Sequence, residues 1–337
     1  MGFEEIVGQD LAIKALRRSL LRGEIANAYL FSGAPGSGKK SITNLFAQAL
    51  NCGSEDPPCR NCLVCRKTIS HNHPDVYHIK PQGTSIKIGQ LREVKESLYY
   101  LPEESGKKIC IIHDADLLTL PASNSILQIL EEPPGDLVFM LLSSRPWALL
   151  PTIISRCVHF ALLPLPPEKM SFLLKSHGFP TTEDSEIVIA LAGGNPGKAL
   201  HMSSGSGWEK SYEEAFSLVK DIEGGPVENI FVKAEELSKR DDLRELLEIL
   251  LIIYRDRLIY KMNGCLDNVL IKKFLQLNNS RKEHKSCSEG KNFNLQENTF
   301  FLEKICRNIL QLEGELFNNI NKRLAIEVLF LKMRGAV

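Results

Sequence analysis

The chain has 337 residues, with 41 basic and 41 acidic side chains and a formal net charge of +0. Hydrophobic residues make up 43% and charged ones 24%, a balance that buries a core and excludes an intrinsically disordered chain. Balanced charge also argues against a stand-alone nucleic-acid binder, which grips phosphate with a basic excess, but leaves room for a weak, shared hold on DNA. At about 100–200 residues per domain the length predicts two or three domains. No apolar run approaches the roughly 18 residues of a membrane span; stretches such as Leu137 to Leu142 have the length of a core strand. The first residues, Met1-Gly2-Phe3-Glu4-Glu5, are acidic and unlike a basic, apolar leader, so a cytoplasmic protein is expected. The nine cysteines are then expected to stay reduced, and a cluster among them reads as metal-binding.

In chain order, apolar positions at Leu11, Ala15, Leu16 and Leu20 predict a helix over 11–21. A short strand at 28–31 runs into Gly33-Ala34-Pro35-Gly36-Ser37-Gly38-Lys39-Lys40, and a helix follows at 41–50. A cysteine-rich insert occupies 52–65. Strand patterns recur at 76–79, 109–112, 138–142 and 158–160, with helical stretches at 88–98 and 123–130. Strands alternating with helices predict a mostly parallel sheet covered on both faces. Pro164, Pro166 and Pro167 mark a boundary. The expected parts are an α/β domain over 1–162, a small helical lid over 163–204 and a helical domain over 205–337. In the last part Leu243, Leu246, Leu247, Leu250 and Tyr254 form one apolar stripe and Leu324, Val328 and Leu329 another. The polar stretch 278–294 predicts a loop.

The strand, the glycine-rich turn and the helix after it make a phosphate loop. Gly33, Gly36 and Gly38 let backbone N–H groups approach phosphate, and Lys39 would reach its oxygens. The next position should carry a Ser or Thr hydroxyl for Mg²⁺, but it is Lys40, whose ammonium repels the ion. Ser41 sits about 100° further round the helix. The strand 109–112 ends in His113-Asp114-Ala115-Asp116, which puts His113 at the metal position and the short Asp114 at the base position. Three faults in one centre predict no independent ATP hydrolysis and make ATP binding doubtful.

Cys52, Cys59, Cys62 and Cys65 suit a closed, tetrahedral, structural Zn²⁺ site without room for a catalytic water. His71 and His73 lie close enough in sequence to replace one thiolate. Glu131-Glu132-Pro133-Pro134 reads as a helix end and a stop. Lys87, Arg92 and Lys95 read as a solvated face that an assembly could turn toward DNA phosphates. Arg156, taken alone, reads as a helix-end arginine paired with a local carboxylate.

The phosphate loop, the four-cysteine insert, Leu130-Glu131-Glu132-Pro133-Pro134 and Ser155-Arg156-Cys157 together resemble the clamp-loader subunits of bacterial DNA polymerase III, over nearly the whole chain from Val7-Gly8-Gln9 to Asn321-Lys322-Arg323-Leu324-Ala325. The resemblance implies an AAA+-like domain with a zinc knuckle, a lid and a C-terminal helical collar. Lys40 and His113 resemble the family's non-hydrolysing branch more than its gamma/tau ATPases. Gly197, in Gly194-Asn195-Pro196-Gly197, falls where the ATPases carry a lid arginine. The resemblance further implies that Arg156 is an arginine finger acting in trans on ATP held next door, worth roughly 10³–10⁵ in rate. Implied partners are gamma/tau and delta subunits, the sliding clamp and primed DNA, in a hetero-oligomer. The alternatives are an ATP-hydrolysing gamma/tau subunit and an independent zinc-containing DNA-binding protein.

Overall fold

The computed structural model describes residues 2–104, 106–180, 183–205, 208–240, 242–263, 299–316 and 320–335. The polar stretch 278–294, Cys265 and Cys287 lie outside the described residues. The chain forms two compact units, Met1–Gly178 with Gly193–Leu200, and Phe179–Ala192 with His201–Val337.

The first unit is built on five parallel strands: β1 (Ala28–Ser32), β2 (Val76–Ile79), β3 (Lys108–Ile112), β4 (Leu137–Ser143) and β5 (Val158–Ala161). Their order is β2-β3-β4-β1-β5, and every pairing is parallel, with Leu30 opposite both Leu141 and His159. β1, β3 and β4 are buried along their whole length, which is why they read as unbroken apolar runs. Alternation sorts them onto two cores. Tyr29, Phe31, Ile111 and Met140 meet α1 (Asp10–Arg22) and α2 (Lys39–Asn51) on one face. Leu30, Cys110, Ile112, Phe139 and Leu141 meet α4 (Ile88–Tyr99) and α5 (Leu120–Glu131) on the other.

Local chemistry sets the ends. Gly23 closes α1 in the left-handed region at φ 67°, as a C-terminal glycine does. Pro121 lies in the first turn of α5, and Pro133 follows the Glu132 that ends it. α2 begins at Lys39, two residues before the expected 41, because the left-handed Gly38 turns the phosphate loop directly into the helix. β5 is an edge strand with Val158 half-exposed. α3 (Leu63–Ile69) packs on α2, and α6 (Pro151–Ile154) on α5.

The N-terminal segment is tied at both ends. Glu5 pairs with Arg60, and Arg17 lies 3.9 Å from Asp56. Gln9 Nε2 donates to the Leu163 carbonyl at 2.9 Å, and Asp10 pairs with Lys169 on α7 (Pro167–Ser176).

The described part of the second unit is helical: α8 (Glu183–Ala192), α10 (Trp208–Gly224), α11 (Val227–Ser238), α12 (Leu243–Asn263), and helices Thr299–Glu315 and Lys322–Met333. Leu243, Leu246, Leu247, Leu250 and Tyr254 are buried, as the stripe predicts. The second stripe is corrected. Leu329 is buried as expected, but Leu324 and Val328 are exposed, and the last helix buries Ile326, Phe330 and Met333 beside Leu329. That i, i+3, i+4, i+7 set carries the larger side chains and so wins the inward face. Tyr254 and Arg257 both donate to Glu223 Oε1, at 2.6 and 2.5 Å.

Candidate functional site: a phosphate loop, its strand ends, an arginine and a cysteine knuckle

The glycine-rich turn leaves β1 at its C-terminal end, beside β4, where parallel sheets place ligands. Gly33, Gly36 and Gly38 have φ of 155°, 84° and 94°. A side chain at Gly33 would meet the Leu162 carbonyl at 2.8 Å. Lys39 is buried, and its ammonium donates to the Gly33 and Ala34 carbonyls at 2.5 and 2.9 Å and to Ser144 Oγ at 3.3 Å. Burial holds its pKa below the ordinary lysine value, with Asp114 and Asp116 opposing the shift. Lys40 is exposed beside it.

Residues 193–198 close over the turn. Gly197 N–H donates to the Gly36 carbonyl at 2.9 Å, and Asn195 Nδ2 donates to the Pro35 carbonyl at 2.5 Å. Asn195 Oδ1 in turn accepts from Lys198 N–H at 3.1 Å, steadying the start of α9 (Pro196–Ser203). The glycine pair is in backbone contact, and a Cβ at Gly197 would lie 2.8 Å from Gly36 Cα.

At the end of β3, Asp114 takes a left-handed conformation at φ 48°. The acid that the structure uses is Asp116, which the sequence does not single out. Its Oδ1 accepts from Ser143 Oγ at 2.9 Å and Ser144 N–H at 3.1 Å, and its Oδ2 from Arg145 Nε at 3.1 Å. Burial alone would raise this carboxyl, and the hydrogen bonds from Ser143, Arg145 and Ser144 outweigh it and hold the pKa low. The carboxylate therefore locks the ends of β3 and β4 together.

His113 belongs to a chain of three imidazoles. His113 Nε2 is 3.1 Å from His78 Nδ1, and His78 Nε2 is 3.0 Å from His71 Nδ1. His113 Nδ1 is buried without a partner. Burial pushes His78 and His113 down to about 4, and neighbouring cationic groups add to it: His71 and His113 around His78, Lys40 and Lys80 around His113. No spacing in the sequence signals this chain, because His78 on β2 meets His113 just after β3 only through the parallel pairing of the two strands.

Arg156 follows α6. Its guanidinium lies 2.7 Å from Glu131 Oε1 and donates through Nη1 to the Thr152 carbonyl at 3.0 Å. Both side chains are partly exposed. The local carboxylate expected beside Arg156 is thus Glu131, at the end of α5.

The thiol sulfurs of Cys52, Cys59, Cys62 and Cys65 all lie within 4.8 Å of one another. Three backbone N–H groups point at them at 3.4 Å: Cys59 at Cys52, Cys62 at Cys59 and Cys65 at Cys62. Burial raises the Cys52 thiol, but bonds from Cys59 and Ser54 outweigh it and leave it at about 6, whereas burial pushes Cys65 up. Four converging sulfurs with amide donors fit a tetrahedral Zn²⁺, which would draw all four to thiolate. His71 and His73 are not in the cluster: His71 bonds His78, and His73 Nδ1 accepts from Asp75 N–H at 3.1 Å. Lys87, just before α4, and Arg92 on it are exposed, and Lys95 reaches Gln128 at 3.4 Å.

A five-stranded parallel sheet with a phosphate loop after β1, covered by helices and joined to helices, defines a P-loop domain of the AAA+ kind. Residues 8–166 match the family model described as DNA polymerase III, delta subunit. The chain is 29% identical to the DNA polymerase III subunit delta' of Bacillus subtilis over 97% of this chain and 96% of that one. It is 30% identical to the subunit tau of the same organism, over 80% of this chain and 52% of tau, so it spans about half of that relative. A solved gamma subunit-related protein from Thermotoga maritima aligns over 95% of this chain and 98% of its own at 20% identity, with a TM-score of 0.46. The chain is thus similar to the clamp-loader subunits of DNA polymerase III, through residues 8–166 in the family model and over nearly its whole length in the delta' relative.

Proposed function

We propose that this chain is the delta-prime-type, non-hydrolysing subunit of a clamp loader, which completes a neighbour's ATP site with Arg156 while the sliding clamp is placed on primed DNA. The observation that carries this reading is the closure of the phosphate loop. Gly197 N–H is bonded to the Gly36 carbonyl, the two glycines touch, and Lys39 gives its ammonium to the loop's own carbonyls. A triphosphate would have to break these contacts and then find Lys40 and His113 where Mg²⁺ needs oxygen ligands. Asp116, the buried acid nearby, is already committed to Ser143, Ser144 and Arg145.

In this reading the roles separate. The receiving site is closed, while Arg156 presents a guanidinium at a partly exposed helix end. On a neighbour's ATP it would stabilise charge developing on the γ-phosphate. Zinc, held by the four cysteines, supplies a rigid cross-link and no chemistry. Gamma/tau and delta subunits are the proposed partners, the parts 1–162, 163–204 and 205–337 the proposed domains, and the cytoplasm the proposed location. Among the described residues no helix is long and apolar enough to cross a membrane.

The second reading, an ATP-hydrolysing gamma/tau subunit, is favoured by the retained Gly33, Gly36, Gly38 and Lys39. Titrating the zinc-replete chain with a fluorescent ATP analogue and Mg²⁺, with phosphate release followed in the same samples, separates the two. The non-hydrolysing reading expects neither binding nor turnover. Micromolar binding with steady turnover would transfer the chain to the ATPase branch.

A further inference from the structure

Arg156 already has a partner within its own subunit. We propose that Glu131 is a resting anchor for Arg156, one that holds the guanidinium in the free subunit and yields it to the terminal phosphate of a nucleoside triphosphate on the neighbour. This rests on the reading of Arg156 given above and adds its regulation.

The pair is built in rather than a chance meeting of long side chains. Glu131 is the last residue of α5, whose Ile126, Ile129 and Leu130 are buried. Arg156 lies two residues beyond α6, whose Ile153 is buried in the same core cluster. Pro133 stops α5 from running on. The two helix ends are thus set at a fixed separation, and the Thr152 carbonyl gives the guanidinium its second contact. Glu132 is no substitute, because it lies beyond the helix at φ −128° and ψ 74°, so its side chain does not continue the face that Glu131 presents.

Exposure makes the anchor exchangeable. The Arg156 and Glu131 side chains are 37% and 53% exposed, and ion pairs in such surroundings are weakly held. A terminal phosphate carries more charge and matches the guanidinium fork with two parallel bonds. Exchange therefore runs toward phosphate once a neighbour presents it, and the anchor sets how much nucleotide that takes. A guanidinium released only part of the time lowers apparent affinity by the released fraction.

Glu131→Gln removes the charge and keeps the shape, and Glu131→Asp keeps the charge on a shorter arm. In the full-length isolated chain, labelling of Arg156 by a dicarbonyl reagent, read by mass spectrometry, should be about two- to five-fold faster in Glu131→Gln, with Glu131→Asp between it and wild type. In the loader assembled with its ATPase subunits, Glu131→Gln should lower the ATP concentration for half-maximal hydrolysis by a similar factor and leave the maximal rate within about two-fold. Equal labelling in all three chains, or a lowered maximal rate in Glu131→Gln, overturns the anchor. Arg156→Ala tests the finger separately: if it leaves the neighbour's hydrolysis unchanged, the finger itself fails, even where the labelling difference is seen.

Discussion

Lys39 donates to Gly33, Ala34 and Ser144, so the lysine that a phosphate loop needs is present and occupied, and restoring a single neighbour does not make the site work. Lys40→Thr supplies the missing hydroxyl, but His113 and Gly197 stay in place. Phosphate release by this variant should remain at background, and steady turnover would refute the closed-site reading. Gly197 tests the closure directly. A methyl there would meet Gly36 Cα at 2.8 Å, backbone against backbone, so Gly197→Ala should cost about 1–3 kcal/mol, seen as a lower urea midpoint. The histidine chain predicts a pH dependence. His78 and His113 are held at about 4 in the fold, against about 6.5 in an unfolded chain. Between these values the unfolded state binds more protons, so stability rises with pH. It should be full above about pH 6.5 and decline as pH falls toward about 4. Replacing His78 with Gln should flatten that slope in denaturant titrations at stepped pH.

The cysteine knuckle does its work as an element. It ends α2, starts α3 through the Cys62 thiol and the Cys65 N–H, and is tied back to the N-terminus by Arg60–Glu5 and Arg17–Asp56. Removing zinc with a chelator should therefore loosen more than the ligand loop. Melting should drop by at least about 5 °C, the size of a roughly 2 kcal/mol loss in a domain of this length. Hydrogen exchange should rise at Phe3–Glu5 and Leu63–Ile69 as well as at the cysteines. A rise confined to 52–65 would mean the knuckle folds independently of its surroundings. The strand ends behave differently, because Asp116 joins β3 to β4 without any ion, and chelation should leave exchange at Ser143 and Ser144 unchanged.

At the scale of the whole chain, 41 basic and 41 acidic groups give no long-range field to draw DNA in. The isolated protein should bind primed DNA weakly at physiological salt, and should gain affinity only with its partner subunits, as measured by fluorescence anisotropy with and without them. Tight binding by the chain alone would revive the reading as an independent DNA-binding protein.

Much of this was legible in the residues. Unbroken apolar runs at 109–112 and 138–142 announced buried parallel strands, because a strand covered on both faces shows no alternation. The glycines at 33, 36 and 38, the cysteine spacing, and the combination of Lys40 with His113 are local patterns, and local patterns survive in a linear chain. What they could not show were contacts between distant segments. Leu324 and Val328 looked like a core stripe until Phe330 and Met333 took the inward face. Asp116 became the structural acid only once β3 lay beside β4, and His78 met His113 only once β2 paired with β3. Gly197 sealed Gly36, and Glu131 found Arg156, across separations that no periodicity encodes. Composition and spacing set the class of fold and the inventory of the site, because they act through near neighbours. Which groups are free to act was decided by the tertiary packing, because a buried donor, a closed loop or a paired guanidinium is a property of what lies across from it.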